Sequence, residues 1–273
     1  MKSRVLGVLF SISFSLYLSE NALATDYKPW YGRVLEIDTS VDVFMQAFSH
    51  VDTNCGSGKR LEFDTFVDLD ASLAVWDGIA AELEVILAET RQHSFDMDAV
   101  RLTGRYQWFN DIVGDPVSLS TGLTLSTIFP PVRRNIATFD HGGCAAEAHV
   151  AIGKEVSCMQ YWTSRAWGVV GMGIADVGSP WIRGNLAWEH NWYDRHVIEI
   201  FSDSIWGLGN NHMNLYNFHG YGSVDYQAVD VGTRYSFQFD NGLVLSAGYG
   251  CRVYARNCPS NVNFIILKVF YPL

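Results

Sequence analysis

The sequence contains few charged residues, and fewer of them are basic than acidic. Only 18% of the 273 residues are charged, with 19 Lys and Arg against 29 Asp and Glu. Phosphate binding requires a positive surface, so nucleic acid is not expected as a partner. The chain has no run of basic residues, no glycine-rich phosphate loop and no zinc-type CxxC pair. We therefore predict no metal site and no cofactor.

Long apolar runs are also missing beyond the N-terminus. After Ala24 no window holds the roughly 18 uninterrupted apolar residues that a membrane-spanning helix requires. The chain is nevertheless 48% hydrophobic and 14% aromatic. An exported chain this apolar can still be a membrane protein if it forms a closed sheet, because every backbone polar group then has a partner.

The first residues have the features of a cleavable secretory signal. Two basic residues stand near the start, the apolar run Val5 to Ser19 follows, and Ala22-Leu23-Ala24 supplies a small-x-small end. This pattern predicts a signal peptide over 1–24 with cleavage after Ala24, and a single domain over 25–273. Removing the signal would leave 19 − 2 = 17 basic and 29 − 1 = 28 acidic residues, a formal charge near −11.

The strongest pattern in the chain is a period of two between Arg60 and Thr90. One parity of its first half carries Leu61, Phe63, Thr65, Val67, Leu69, Ala71, Leu73 and Val75; the other carries Glu62, Asp64, Phe66, Asp68, Asp70 and Ser72. Asp77-Gly78 then predicts a tight reversal into a second strand. The segment after this turn also fits a short amphipathic helix, but the neighbouring hairpins favour a strand. Strands of this length are typical of membrane barrels, which need about 9–11 residues per crossing.

The same alternation continues to the C-terminus and predicts twelve strands. The first strand begins at Val34, and the second and third lie within Arg60 to Thr90. The other nine are Val100–Trp108, Val117–Leu125, Ala145–Val156, Ser164–Ile174, Trp181–Trp192, Val197–Trp206, Val224–Phe239, Leu243–Ala255 and Val262–Leu273. Glycines make the inner and outer faces of strands six and seven hard to assign. Long loops are expected at Val51–Lys59, Arg91–Asp98, Phe129–Gly143 and Gly207–Gly222. An even strand count with short turns on one side and longer loops on the other predicts an all-β, closed, antiparallel up-and-down transmembrane β-barrel.

The last strand carries a resemblance to a known class. Ile265, Leu267, Val269, Tyr271 and Leu273 alternate up to the terminus, with Tyr271 third from the end. In this the chain resembles the outer-membrane β-barrel (porin-like) proteins of Gram-negative bacteria. The resemblance implies a bacterial outer-membrane location, contact with outer-membrane lipid, and recognition of the last strand by the barrel assembly machinery. The five cysteines are similar to those of surface barrels from some intracellular bacteria.

The polar parity of the strands predicts the residues that line the lumen. The acids are Glu36, Asp38, Asp42, Glu62, Asp64, Asp68, Asp70, Glu82 and Glu84, and the bases are Arg101, Arg105, Arg183, Arg234 and Arg252. One interpretation is a porin-like passage for small polar solutes that favours cations, because acids outnumber bases. The other is that the charges pair with one another inside a narrow barrel. Glu84 and Arg105 are expected to be the closest pair.

Two further function classes stay open. A lipid hydrolase would need an outward Ser or Thr with a His; Glu147 with His149, and Glu189 with His190, are the histidine-bearing pairs. No serine lies in a recognisable hydrolase setting, so no catalytic residue is assigned. A surface anchor or adhesin would instead use the long loops Phe129–Gly143 and Gly207–Gly222.

Five cysteines, an odd number, leave at least one thiol free or bonded to another molecule. Cys55 and Cys258 lie in predicted loops beside the seam between the first and last strands. A disulfide between them would clamp the closure. Cys251 has the outward parity of its strand and is expected to face lipid.

Overall fold

The computed structural model of the protein describes residues 27–53, 56–91, 93–130, 135–158 and 161–273. The predicted signal peptide, residues 1–24, and its cleavage site after Ala24 lie outside the described residues and stay predictions.

The described chain is almost entirely β-structure. Its elements are β1 (Ile37–Val51), β2 (Gly58–Trp76), β3 (Ile79–Thr90), β4 (His93–Phe109), a 3-10 helix (Asp111–Val113), β5 (Ser118–Ile128), β6 (Cys144–Cys158), β7 (Tyr161–Ala175), β8 (Trp181–Trp192), β9 (His196–Gly207), β10 (Gln227–Gln238), β11 (Val244–Arg256), β12 (Pro259–Ser260) and β13 (Asn263–Pro272). No helix in this part of the chain is long and apolar enough to cross a membrane.

The strands form one closed antiparallel sheet. Consecutive strands pair from β1 to β11, β11 pairs with β13, and β13 pairs with β1. The two-residue β12 extends the seam by pairing with the end of β1. The twelve long strands therefore close in up-and-down order, which confirms the predicted fold class. Residues 79–90, for which a helix was the alternative, form β3 and pair on both sides.

Three predicted boundaries were wrong, each for a local reason. β1 begins at Ile37 instead of Val34, because the backbone bends just before it, where Leu35 has a φ of 66°. β4 begins at His93, so 91–98 is not a loop; a register shift between Ile86 and Leu87 interrupts the alternation there. β10 begins at Gln227, because the backbone N–H groups of Val224 and Asp225 donate to carbonyls of the preceding loop, at Tyr221 and Asn211, and not to a neighbouring strand.

The link between β6 and β7 is also shorter than the sequence pattern indicates. β6 ends at Cys158 and β7 begins at Tyr161, so two residues connect strands that extend beyond their predicted ends. The side of the barrel with short connections therefore includes this turn. We call this side the terminal end, because Asp38 of β1 pairs there with Pro272 of β13. The opposite side is the loop end.

Exposure alternates along the strands. Val41, Leu69, Leu83 and Leu102 are 41–54% exposed, whereas their sequence neighbours on the other parity are more buried. An exposed apolar face on a closed barrel is the face that contacts hydrocarbon in a membrane.

The inner face is not uniformly polar. Phe44, Phe66, Ile86, Phe264 and Ile266 point inward and are 0–5% exposed. The rings of Phe44 and Phe264 stack with centroids 4.7 Å apart. The inward parity is therefore not polar in this layer of the barrel, which we call the apolar layer. Here the inward positions are filled by side chains that pack.

Candidate functional site

The candidate site is the barrel interior, and its first feature is a segment of chain that enters it. Residues 27–31, which we call the strap, run inside the barrel from the terminal end. The Tyr27 hydroxyl hydrogen-bonds with Thr124 Oγ1 at 2.7 Å, and its ring stacks on His149 with centroids 3.8 Å apart. Tyr27 is 3% exposed. The inner end of the strap is therefore fixed against β5 and β6.

Lys28 and Trp30 hold the rest of the strap. Lys28 Nζ lies 2.7 Å from Glu189 Oε1 on β8 and over the ring of Trp167. Trp30 Nε1 donates to Asp111 Oδ1 at 2.8 Å. These contacts join the strap to β7, to β8 and to the turn between β4 and β5.

The barrel wall is shaped to receive this backbone. Arg105 donates to the Lys28 carbonyl at 3.1 Å, and Gln107 donates to the Pro29 carbonyl at 2.8 Å. A Cβ at Gly153 would lie 2.8 Å from both Pro29 and Trp30, so only glycine permits this approach. Sequence reasoning missed the strap. Its only signal was three aromatic residues within five positions before the first strand.

Two compartments open at the terminal end beside the strap. The first, about 210 Å³ in volume, borders β13 and β1 to β4, and we call it the acidic compartment. Its charged lining residues are Asp38, Asp42, Asp68, Asp70, Glu82, Glu84, Lys28, Arg105 and Lys268. Six carboxylates thus face three basic side chains.

The second compartment, about 290 Å³, borders β7 to β11 and β13, and we call it the mixed compartment. Its charged lining residues are Lys28, Arg165, Arg234, Lys268, Glu189 and Glu199. Lys28 and Lys268 line both compartments and so lie at their boundary. The charge of the mouth changes sign across this boundary.

The five predicted lumen bases all pair with acids. Glu84 pairs with Arg101 at 3.1 Å, and Arg105 pairs instead with Glu82 at 3.1 Å. The predicted Glu84–Arg105 pair was wrong because the register places Arg101 directly opposite Glu84. The other three pairs are Arg183–Glu147 at 3.3 Å, Arg234–Glu199 at 3.5 Å and Arg252–Asp230 at 2.7 Å.

The remaining predicted acids differ in their surroundings. Asp42 pairs with Lys268 at 2.6 Å, and Glu62 pairs with Arg60 at 2.6 Å. Asp64 accepts a hydrogen bond from Gln46 at 3.2 Å. Glu36 lies in the bend before β1 and accepts from the Arg33 backbone N–H. The role of these acids in lining a pathway stays a prediction.

A loop folds into the barrel at the loop end. Within residues 135–143, which we call the inner loop segment, Phe139 is 4% exposed and packs against Tyr221 and Tyr226 with centroids 4.9 and 5.1 Å away. Tyr221 donates to the Ile136 carbonyl at 2.7 Å. His141 stacks on Trp181 and hydrogen-bonds with Tyr226 at 3.0 Å.

A small cavity of about 50 Å³ lies between the strap and the inner loop segment. Tyr27 borders it from the strap, His141 from the inner loop segment, and Arg101, Glu147 and Arg183 from the wall. Chain segments therefore enter the interior from both ends and meet across this cavity.

His141 gives the inner loop segment a predicted acid sensitivity. Burial, together with the nearby Arg183 charge, lowers the pKa of His141 to about 3. The detached segment would bind a proton at its ordinary pKa of about 6.5, so packing is lost as the pH falls from about 6.5 towards 3. We expect pepsin, an aspartic protease that is active at acid pH, to cleave beside Phe139 increasingly in that range. His141→Gln should flatten this dependence, and the exposed His212→Gln should leave it intact; a steep dependence in His141→Gln would disprove the assignment.

The histidine pairs considered for lipid hydrolysis occupy other settings. Glu147 and His149 face inward, where Glu147 pairs with Arg183 and His149 with the Tyr27 ring. His190 faces outward opposite Ser164, but that hydroxyl donates to the Glu189 carbonyl and accepts from Trp188. A hydrolase serine would have to donate to the imidazole. These contacts give the hydrolase interpretation no support.

Cys258 is the one partner of the predicted disulfide clamp that the structure describes. Cys258 is buried and makes no disulfide with another described cysteine, and its Sγ donates to the Gln227 carbonyl at 3.2 Å. Burial raises the pKa of this thiol to about 11. Cys55 lies outside the described residues, so the Cys55–Cys258 bond stays a prediction.

Neither a protein-family model nor a curated protein sequence matches the chain. Solved structures do match. The outer membrane channel COG4313 from Pseudomonas putida F1 superposes with a TM-score of 0.63 at 11% identity, covering 92% of this chain and 99% of that one. The NanC porin gives 0.57 at 10% identity, over 87% and 100%. The KdgM porin in complex with disordered oligogalacturonate gives 0.50 at 11%, over 87% and 98%.

What is shared is the fold. At these identities the likeness to outer-membrane channels and porins concerns the closed twelve-strand barrel alone. Any function must therefore be argued from the interior of this barrel.

Proposed function

We propose that the protein is a porin-like channel of the bacterial outer membrane that passes small polar solutes and favours cations. The observation that carries this proposal is the acidic compartment, where six carboxylates line one side of the mouth of a closed barrel. A charged mouth raises the local concentration of counter-ions and so selects among permeating solutes by sign.

The ion pairs of the acidic compartment support an excess of acidic over basic groups there. Arg105 and Lys268, two of the three bases of the acidic compartment, already pair with Glu82 and Asp42. The third, Lys28, pairs with Glu189 on the far side. Asp70 Oδ1 has no hydrogen-bond partner among the described residues. Carboxyl groups thus outnumber basic groups at this mouth.

The proposed location rests on the outer surface and on the fold. Apolar side chains cover the outward parity of the strands, as contact with membrane lipid requires. The structural neighbours are outer-membrane channels and porins. We further propose that the last strand, β13, is the segment that the barrel assembly machinery recognises.

The test of the proposal is ion conductance. Purified protein in planar bilayers should give discrete steps, and a salt gradient should give a reversal potential that favours cations. Asp38→Asn/Asp70→Asn removes two carboxyl groups from the acidic compartment and should lower the cation-to-anion permeability ratio, roughly twofold.

A matched control removes two charges elsewhere. Glu89→Gln/Asp96→Asn neutralises two exposed acids on the strands near the loop end, and it should leave the ratio unchanged. Equal ratios in both double variants would show that the acidic compartment does not select the permeating ion.

A surface anchor is the second candidate. It is favoured by the apolar layer, whose five side chains are 0–5% exposed, and by the inner loop segment, because both fill the interior. An anchor would leave bilayers silent under every condition in which the channel is expected to conduct.

A further inference from the structure

The strap is the feature that the proposed function leaves unexplained. It is anchored at both ends and in the middle, by Tyr27 to Thr124, by Lys28 to Glu189 and by Trp30 to Asp111. Tyr27 and Trp30 are 3% and 9% exposed. Ordering a chain segment costs conformational entropy, about 1–2 kcal/mol per residue, and these buried contacts offset that cost. The strap is therefore part of the folded interior.

Its position affects the size of the open space. Lys28 and Trp30 line the acidic compartment, and Lys28 also lines the mixed compartment. Tyr27 borders the small central cavity. All three spaces thus meet the strap, and displacing it would merge them.

Its position also affects the charge of the mouth. Lys28 places an ammonium group at the boundary between the two compartments, 2.7 Å from Glu189, which is 6% exposed. Without Lys28, the Glu189 carboxylate would have no ammonium partner and would add a negative charge to the mouth. The strap thus sets the charge balance where a solute would enter.

We infer that residues 27–31 determine the size limit and the ion selectivity of the channel, with Lys28 as the selectivity residue and with Tyr27 and Trp30 as the residues that hold the strap in place. This inference rests on the proposed channel function. It adds that a segment outside the strands sets the properties of the pathway.

The size limit is tested by releasing the strap. Tyr27→Ala/Trp30→Ala removes both aromatic anchors and leaves every strand unchanged, so the barrel should still fold; heat-modifiable gel mobility checks this. In planar bilayers the variant should conduct at least about twofold more per channel than the wild type, because the compartments merge. Conductance within error of the wild type in the folded variant would overturn the inference while leaving the proposed function in place.

The selectivity is tested at Lys28. Lys28→Met should raise the cation-to-anion permeability ratio by roughly twofold. Lys28→Met/Glu189→Gln removes both charges and should return the ratio towards that of the wild type, which a purely structural role of Lys28 would not predict. Arg33→Met removes one basic side chain from an exposed position just beyond the strap and serves as the control.

The outcomes separate the inference from the function on which it rests. A silent wild type with a conducting Tyr27→Ala/Trp30→Ala variant would support the strap as the element that closes the pathway. Silence in both would overturn the channel function and the inference together. A ratio that moves equally in Lys28→Met and Arg33→Met would overturn the assignment of selectivity to Lys28.

Discussion

Arg252→Met is expected to lower the free energy of unfolding by about 3–5 kcal/mol, because it leaves a buried carboxylate without its counter-ion. Arg252 Nε and Nη2 donate to Asp230 Oδ1 and Oδ2 at 2.7 and 2.9 Å, and the two side chains are 1% and 3% exposed. Arg252 also donates to the Pro259 carbonyl at 3.1 Å, next to the seam. Equilibrium unfolding in urea, followed by tryptophan fluorescence in lipid vesicles, measures the loss.

Two further variants show whether the loss comes from the unpaired charge. Arg252→Met/Asp230→Leu removes both charges and should recover most of the stability. Arg195→Met breaks a pair with Asp240 whose side chains are 52% and 82% exposed, and it should cost about 0–1 kcal/mol. If Arg252→Met costs no more than Arg195→Met, the buried pair does not stabilise the barrel.

The outward parity was predictable from the sequence because the membrane constrains it strictly. Leu61, Phe63 and Leu69 were placed outward by alternation alone, and each is more than two-fifths exposed. The inward parity is constrained only by what the interior contains. Phe44 and Phe66 lie at inward positions because that layer is packed by side chains, and period-two alternation contains no information about such packing.

The register of neighbouring strands is the second feature that the sequence pattern did not predict. Neighbouring strands were identified correctly, but the partner of Glu84 depends on the offset between β3 and β4. That offset places Arg101, four residues before Arg105, opposite Glu84. The register shift after Ile86 also hid the start of β4, since an extra residue moves every later side chain to the other face.

The strap was beyond prediction because its contacts are distant along the chain. Tyr27 meets Thr124 across 97 residues, and Lys28 meets Glu189 across 161. No local pattern in a short segment before the first strand encodes such partners. Gly153 in the barrel wall makes room for the strap, but a single glycine in a strand has several explanations and does not by itself predict a packed segment.

Phe139→Ala is expected to detach the inner loop segment from the barrel. Truncating a buried phenylalanine removes about 3–5 kcal/mol of packing, and Phe139 contacts both Tyr221 and Tyr226 beneath the guanidinium of Arg252. Because the segment lies outside the strands, the loss should appear as local opening while the sheet stays folded. Each 1.4 kcal/mol is a factor of ten, so amide hydrogen exchange in the segment should accelerate by about two to four orders of magnitude.

Two amides report this opening directly. The Ala137 N–H donates to Asn135 Oδ1 at 2.9 Å, and the Tyr221 N–H donates to the Asp140 carbonyl at 2.9 Å, so both are protected only while the segment is packed. Phe239→Ala, at a 40% exposed phenylalanine of the terminal end, should leave both rates unchanged. Slow exchange at Ala137 and Tyr221 in Phe139→Ala would mean that ring packing is not what holds the segment, and that its hydrogen bonds with Tyr221 and Tyr226 suffice.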